Sequence, residues 1–236
     1  MGRTLQLALV AVLAAVVVTG AIVVSNNGGD SEPPPAATSQ PGTTPAEEVA
    51  ALYEGVPQDG MFLGRGDAPA TLVEIADLQC PFCAQYSVQV LPTIVEDYVR
   101  TGKIAYELRI RSFLGRDSVR AAGAAAEAAA ENRLFQFADL FYRNQGAENS
   151  DYADADFMRE IAGQVDGLDV ERVVAAADDP LSHPAVRAGE QFARRIGSTG
   201  TPDFYLRRAG QLTPLTVQGT APEDYAAALD AALGGS

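Results

Sequence analysis

The chain has few of the residues that build metal centres or basic surfaces. Its 236 residues include one histidine and two cysteines, whereas a zinc site takes four such ligands, so the composition argues against a metal site. Lysine and arginine together number 17 against 31 aspartates and glutamates, which gives a formal net charge of −14. A protein that binds nucleic acid needs a basic face, so nucleic acid is not an expected partner. No bound cofactor is expected either.

The two cysteines that are present stand three positions apart. A strand-like run at residues 71–76 leads into Cys80, and a helical pattern from about residue 81 to residue 100 leads out of Cys83. Cys80 therefore lies at a predicted helix start, where free backbone N–H groups and the helix dipole favour a thiolate. The spacing predicts a redox pair, with Cys80 as the activated, accessible thiol and Cys83 as the resolving thiol one turn behind it.

A purely structural disulfide between these cysteines is the alternative. A bond that closes a loop of two residues removes very little chain entropy from the unfolded state. Such a bond would stabilise the fold very little, so redox chemistry is the better explanation of the pair.

Glu74 interrupts the apolar run that precedes the pair. In a central strand its carboxyl group would be partly buried and its pKa raised, so that it could pass protons to and from the cysteines. In an edge strand it would lie in water and do neither; we favour the central position. Asp77 is closer to Cys80 in sequence, but its negative charge would oppose a thiolate, and the sequence assigns it no role.

An apolar run from Leu5 to Val24 follows Arg3 at the amino terminus. It is long enough to cross a bilayer, which takes about 20 residues. A cleaved signal peptide is the alternative, but its apolar core is usually only about 7 to 15 residues long. We favour an uncleaved anchor at residues 1–24, and no lipobox-type cysteine offers a lipid anchor instead. The charge before and after the span predicts a single-pass protein of the cell membrane with its catalytic domain extracytoplasmic.

The remaining chain divides into a tether and one folded domain. Residues 25–46 are rich in Asn, Gly, Ser, Thr and Pro and predict a disordered linker. The domain, residues 47–236, is expected to contain helices at 47–53, 81–100 and 222–233, the first of the long ones bent near Gln89 by Pro92. Strands are expected at 61–64 (an edge strand), 71–76, 103–113, 203–208 and 212–217. A helical block at about 116–197 begins with one helix over 117–144. This order predicts an α/β fold in which helices pack on a small mixed sheet.

The order of these elements resembles the DsbA-like branch of the thioredoxin superfamily. The motif Glu-x-x-Asp-x-x-Cys-Pro-Phe-Cys precedes the long helix, and Gly200-Thr201-Pro202 precedes the penultimate strand. Residues 132–141 also look like part of that branch's helical insertion. The likeness covers about residues 60–233. It implies a thioredoxin-like fold with an inserted helical subdomain at about 116–197, preceded here by the transmembrane helix.

The resemblance also implies roles for individual residues. Cys80 would be the attacking and attacked sulfur, Cys83 the resolving one, and Glu74 the buried carboxylate beneath them. Pro202 would be a cis-proline whose loop lies against the disulfide, and Thr201 would offer backbone hydrogen bonds to an extended substrate peptide. Phe82 adds an apolar surface beside the sulfur that is suited to binding unfolded substrate segments. The best-known oxidising members carry a histidine at this place, so Cys80 is expected to be a milder oxidant.

The sequence thus predicts a membrane-tethered thiol–disulfide oxidoreductase that oxidises substrate dithiols through a Cys80–Cys83 disulfide. Its partners would be thiol-containing extracytoplasmic proteins and a membrane redox partner that recycles the pair. Run backwards, the same site is a reductase or isomerase, and the sequence leaves the direction open. The alternative from another class is a binding module that uses the acidic helical block, with the cysteines an inert structural disulfide.

Overall fold

The structure is a computed structural model, and it describes residues 42–234. The predicted membrane anchor at residues 1–24 and the predicted tether as far as residue 41 lie outside the described residues. Between residues 42 and 234, no helix is both long enough and apolar enough to cross a bilayer.

Six strands form one mixed sheet at the centre of the domain: β1 Gln58–Asp59, β2 Phe62–Leu63, β3 Ala70–Ala76, β4 Ala105–Ile110, β5 Asp203–Arg208 and β6 Gln211–Pro214. Their order across the sheet is β1-β2-β4-β3-β5-β6, and β3 and β4 are the parallel pair. β3 is therefore central, as predicted. Apolar residues occupy positions on both faces of β3 because helices cover both faces of the sheet at this strand.

The helices of the described part of the chain are α1 Pro45–Tyr53, α2 Pro81–Gln89, α3 Leu91–Ile94, α4 Arg116–Ala130, α5 Leu134–Arg143, α6 Ala155–Ala162, α7 Val170–Asp178, α8 Pro184–Ile196 and α9 Pro222–Gly234. A π-helical turn, Val95–Val99, continues α3, and a 3-10 turn, Pro180–Ser182, precedes α8. No strand interrupts residues 116–196, as the sequence predicted.

Helices cover both faces of the sheet. On the first face, the Tyr86 ring of α2 packs 4.7 Å from the Phe204 ring of β5 and 5.0 Å from the Tyr225 ring of α9, measured between centroids. On the second face, α8 packs Ala193 against Val73 and Ile75 of β3 and against Tyr205 of β5. Burial of this apolar surface, at roughly 25 cal/mol per Å², is the main force that holds the layers together. α4, α5, α6 and α7 pack on one another beside the sheet.

The predicted bend in the long helix is confirmed. α2 ends at Gln89 and α3 begins at Leu91. Pro92 has no N–H to continue the helical hydrogen bonds, and its ring crowds the preceding turn, so the helix cannot pass through this point unbroken.

The single helix predicted over residues 117–144 is wrong. α4 ends at Ala130 and α5 begins at Leu134, because Asn132 adopts a left-handed backbone with φ of 57°. Asparagine tolerates this conformation better than most residues. Its side-chain Oδ1 also accepts a hydrogen bond from the Gly60 N–H at 2.7 Å. The apolar periodicity continues across the break, which is why the sequence concealed it.

Two strand predictions also need correction. The segment predicted as an edge strand contains β2, which lies between β1 and β4, and the edge is the unpredicted strand β1. The strand predicted at 212–217 ends earlier, at Pro214, because proline cannot donate to the ladder.

The predicted tether is too long at its carboxyl end. α1 begins at Pro45, and Thr44 is its N-cap. The Thr44 side chain accepts a hydrogen bond from the Glu47 N–H while the Glu47 carboxylate accepts one from the Thr44 N–H, which is the capping-box arrangement. This reciprocal cap starts the helix two residues before the boundary that the composition indicated.

Candidate active site

Cys80 occupies the start of α2, as the sequence predicted. It is the N-cap residue, and Pro81 is the first residue of the helix, where a missing N–H has no consequence. No side chain caps this end of the helix. The backbone N–H groups of Phe82 and Cys83 are therefore directed to the Cys80 sulfur and favour its thiolate.

Several groups together lower the pKa of Cys80 to about 6. The largest contribution is a hydrogen bond from the Cys83 thiol, and it outweighs the opposing effect of burial. Thr201 and the two N–H groups of the helix start lower the pKa further. The sequence predicted the contribution of the helix start but not that of the second thiol.

Cys83 has the opposite character. It is fully buried, and both cysteines are free thiols in this structure. Burial, the hydrogen bond that it gives to Cys80 and the nearby Glu74 carboxylate raise the pKa of Cys83 well above its ordinary value. At neutral pH the reduced pair therefore holds one proton, on Cys83, and one negative charge, on Cys80.

Cys80 is less accessible to solvent than the sequence predicted. Only 4% of the residue is exposed, because the cis-proline loop lies over the sulfur. Phe82, the next side chain outward, is 64% exposed and forms the apolar surface beside the pair. Its binding of substrate stays a prediction.

Glu74 is buried in the central strand β3, as predicted. Burial raises the pKa of its carboxyl group to about 8. A hydrogen bond from the Tyr106 hydroxyl to Oε2 acts in the opposite direction, and the charge of Cys80 adds to the rise. The burial and the raised pKa are thus confirmed, and the transfer of protons by this group stays a prediction.

The loop before β5 lies against the cysteine pair. The peptide bond between Thr201 and Pro202 is cis, as the resemblance implied. The Cys80 thiol donates to the carbonyl oxygen of Thr201 across 3.3 Å. Arg111, which the sequence did not single out, donates from Nη1 to the Ser198 carbonyl at 3.1 Å and so fastens the start of this loop to the end of β4.

Asp77, to which the sequence assigned no role, is a fully buried junction. Its Oδ1 accepts hydrogen bonds from the Gln79 N–H at 2.9 Å and from the Ser118 hydroxyl at 2.6 Å. Its Oδ2 accepts from the N–H groups of Phe113 and Leu114 at 3.1 and 3.2 Å. Burial raises the pKa of Asp77 against these four bonds. The carboxyl group therefore ties the turn that carries Cys80 to the loop after β4 and to the first turn of α4.

Two glutamines fasten the same turn to the helical block. Gln145 donates from Nε2 to the carbonyl oxygens of Leu78 and Cys80 at 2.7 and 3.3 Å. Gln79 accepts from the Asn149 N–H at 2.7 Å. Amide side chains at isolated positions carry no pattern, so no sequence signal could have found them. Within residues 42–234, no cluster of three or more histidine, cysteine or acidic side chains could hold a metal ion.

A family model described as Thioredoxin matches residues 57–218, which span the sheet, the cysteine pair and the cis-proline loop. The chain belongs to the thioredoxin family. This thioredoxin-family protein is 29% identical over 147 residues to "Probable disulfide bond formation protein D" from Bacillus cereus, a match that covers 61% of this chain and 68% of that protein.

Solved structures have the same fold. BdbD from Bacillus subtilis, in its oxidised form, matches with a TM-score of 0.65 and 20% identity over 76% of this chain and 98% of that chain. A variant of alpha-DsbA1 from Wolbachia pipientis matches with a TM-score of 0.60 and 21% identity over 79% and 96%. The solved structures show the fold, whereas the relative from Bacillus cereus, the family model and the asymmetric cysteine pair identify this thioredoxin-family protein as a DsbA-like thiol–disulfide oxidoreductase.

Proposed function

We propose that this enzyme works in the oxidising direction and converts dithiols of extracytoplasmic proteins into disulfides. The observation that carries the proposal is the contrast between the two sulfurs, since the pKa of Cys80 is lowered to about 6 while that of Cys83 is raised. A stable thiolate at Cys80 favours the reduced form of the enzyme. A pair whose reduced form is stabilised passes its disulfide to substrates.

The reaction runs in two exchanges. A substrate thiolate attacks Cys80 Sγ, the Cys80–Cys83 bond breaks, and Cys83 leaves as a thiolate that takes the proton of Glu74. The second substrate thiolate then attacks the substrate sulfur of the mixed disulfide and releases Cys80 as a thiolate. The substrate loses two electrons, and the enzyme is left as a dithiol. A membrane protein that accepts two electrons would return it to the disulfide.

The thiolate of Cys80 sets the expected strength of the oxidant. Reference thiols of this kind have pKa values of about 7 in thioredoxin and about 3.5 in DsbA. Cys80, at about 6, lies between them. This intermediate value supports a milder oxidant, in keeping with the absence of a histidine between the cysteines.

The place of the reaction follows from the amino-terminal sequence. We propose that residues 5–24 anchor the chain as a single membrane span, with residues 25–43 as its tether. The support is the length of the apolar run and the charges on either side of it. In this arrangement the domain faces a compartment in which disulfides persist.

The reduction potential of the pair, equilibrated with glutathione, tests the proposal. An oxidant between the two reference proteins should have a potential between about −270 and −120 mV. A potential below about −300 mV would describe a disulfide too stable to donate, and one near −270 mV would favour a reductase.

Variants of the full chain test the roles of the two sulfurs. Cys80→Ser should abolish the oxidation of a dithiol peptide, because no sulfur remains to be attacked. Cys83→Ser should accumulate a mixed disulfide between Cys80 and the peptide. Retention of activity in Cys80→Ser would show that the pair is an inert structural bond.

A further inference from the structure

Tyr106 is a buried residue of β4 whose hydroxyl donates a hydrogen bond to Oε2 of Glu74. In the parallel ladder Tyr106 is paired with Leu72, so it lies diagonally across from Glu74 on the same face of the sheet. A second hydroxyl, that of Tyr86 in α2, lies 3.4 Å from the Tyr106 hydroxyl. Both hydroxyl groups are buried with the carboxyl group.

Glu74 faces titratable groups on every element packed around it. These groups are Cys80, Cys83 and Tyr86 of the α2 start, Tyr106 of β4, Tyr53 of α1, Tyr142 of α5 and Tyr225 of α9. Each is a thiol or a phenol, and none of them brings a positive charge to the carboxylate. The Tyr106 hydroxyl is the donor that the structure gives to Glu74, so it stabilises the ionised form against the effect of burial.

We propose that Tyr106 is a positioning residue that keeps Glu74 able to ionise, so that Glu74 can take the proton of Cys83 when the reduced enzyme is reoxidised. The inference rests on the proposed function, since it concerns the recycling half of that reaction. Without the hydroxyl, the pKa of a carboxyl group at this depth would rise further above neutral pH, so the ionised fraction of Glu74 that can act as a base would fall.

The protons and electrons of the recycling step balance through named groups. The Cys80 thiolate attacks a disulfide of the electron acceptor, which releases one acceptor thiolate and forms a mixed disulfide. Cys83 gives its proton to the Glu74 carboxylate and attacks Cys80 Sγ, and the second acceptor sulfur leaves as a thiolate. The enzyme loses two electrons, the acceptor disulfide gains them, and Glu74 carries the proton.

Tyr106 has a second position for its own hydrogen once Glu74 is protonated. The Glu74 hydroxyl then donates to Tyr106, and the Tyr106 hydroxyl turns toward Tyr86. A separation of 3.4 Å is longer than an ordinary O–H···O bond of about 2.5 to 3.0 Å, so this second position is the weaker one. The Tyr106 hydroxyl therefore stabilises the ionised carboxylate more than the protonated carboxyl group, which acts against the effect of burial.

Resolution of a mixed disulfide tests the step directly. The full-length protein is joined at Cys80 to glutathione at low pH, and the release of glutathione is followed after a jump to each higher pH. A hydrogen bond to a charged group is worth about one to two pKa units. Tyr106→Phe should therefore move the midpoint of the rate profile up by about one to two pH units. At neutral pH, resolution should slow about tenfold for each unit of that shift.

Three controls separate this role from a structural one. Tyr98→Phe removes the hydroxyl of another buried tyrosine, which donates to the Asp230 carboxylate at 2.9 Å, and should leave the profile unchanged. Glu74→Gln should remove the part of the pH profile that comes from the Glu74 carboxyl group. Adding Tyr106→Phe to Glu74→Gln should then leave the profile of the double variant the same as that of Glu74→Gln alone. Oxidation of a dithiol peptide by the preformed disulfide should change little in Tyr106→Phe, because that half-reaction uses protonated Glu74.

An unshifted profile in a folded Tyr106→Phe protein would overturn the inference, as would an equal shift in the Glu74→Gln background. A direct titration by nuclear magnetic resonance covers the case in which the variant does not fold. In the wild-type protein, the Tyr106 hydroxyl signal should change with the same midpoint as the Glu74 carboxyl carbon, and independent midpoints would contradict the coupling. If the wild-type protein itself fails to resolve the mixed disulfide, it is the proposed function that is wrong.

Discussion

The thiol of Cys80 donates to the carbonyl oxygen of Thr201 across 3.3 Å, although 121 positions separate the two residues in the chain. This contact joins the turn at the start of α2 to the cis-proline loop. The hydroxyl Oγ1 of Thr201 is buried and no other group competes for its hydrogen, so it can donate to the Cys80 sulfur once that sulfur ionises, which lowers the pKa of Cys80. The residue before the cis-proline therefore contributes to the reactivity of the sulfur.

Thr201→Val should raise the pKa of Cys80 by about one unit, because valine keeps the branched shape but cannot donate to the thiolate. The ultraviolet absorbance of the thiolate, titrated in the reduced protein, measures this shift. Thr213→Val is the matched control, since its hydroxyl donates to the Leu206 carbonyl at 3.3 Å on β6. Equal thiolate titrations in the wild-type and Thr201→Val proteins would show that the hydroxyl does not act on Cys80.

Glu74→Gln should stabilise the fold, and increasingly so as pH rises. Burial raises the pKa of Glu74 from 4.5 to about 8. Below pH 4.5 Glu74 is protonated in both the folded and the unfolded state, so its burial does not lower the free energy of unfolding. As pH rises from 4.5 toward 8, the unfolded state ionises while the folded state stays protonated, so the free energy of unfolding falls. Glutamine has no such loss.

The free energy of unfolding, measured in denaturant at a series of pH values, checks this expectation. The advantage of Glu74→Gln should grow across the interval between the two pKa values to a few kcal/mol and then level off. Glu96→Gln, at an exposed site paired with Arg100, is the control and should show no such growth. A constant difference at all pH values would contradict the raised pKa.

Asp77→Ala should destabilise the protein strongly. The substitution leaves four donors, which come from three segments, without their common acceptor. Each buried donor left unpaired costs about 1 to 3 kcal/mol, so a loss of about 3 kcal/mol or more is expected. Denaturant unfolding measures it. Asp154→Ala, which removes the N-cap of α6, is the comparison and should cost only about 1 kcal/mol; similar losses in the two variants would show that Asp77 is not a junction.

Phe82→Ser should weaken substrate binding without changing the fold. The side chain is 64% exposed beside the cysteine pair, so its removal costs little stability. Loss of the apolar contact should lower kcat/KM for a dithiol peptide roughly tenfold, mainly through KM, with the titration of Cys80 unchanged. Leu181→Ser removes an apolar side chain that is 63% exposed in the helical block, and should leave kcat/KM unaltered. An equal loss in both variants would mean that surface apolarity in general is what matters.

Local sequence accounted for many of the elements. The helix start at Cys80, the bend caused by Pro92 and the final helix depend on residues within a few positions of one another, and all three were predictable. The break at Asn132 was not, because helical periodicity continues through it and the left-handed turn is held by a contact to Gly60, 72 positions away. The edge strand β1 was also missed, since two residues carry no detectable alternation.

The candidate site divides in the same way. Its cysteines and Glu74 are conspicuous as residue types at particular spacings. Asp77 and Gln145 act through hydrogen bonds to segments 36 and 67 positions away, and the residues next to them in the sequence do not predict these bonds. The contribution of the Cys83 thiol to the pKa of Cys80 is different again, because it depends on the orientation of two side chains on one helical turn.

By itself, the sequence determined that the two cysteines lie in the first turn of a helix that follows an apolar strand, because those features depend only on adjacent residues and their periodicity. The tertiary structure alone decided that Tyr106 holds the Glu74 carboxylate and that Asp77 ties three segments together. It also decided that the cis-proline loop covers Cys80. Such contacts form only when the folded sheet brings distant strands side by side, and their strength comes from the exclusion of water around groups that would be solvated in the open chain.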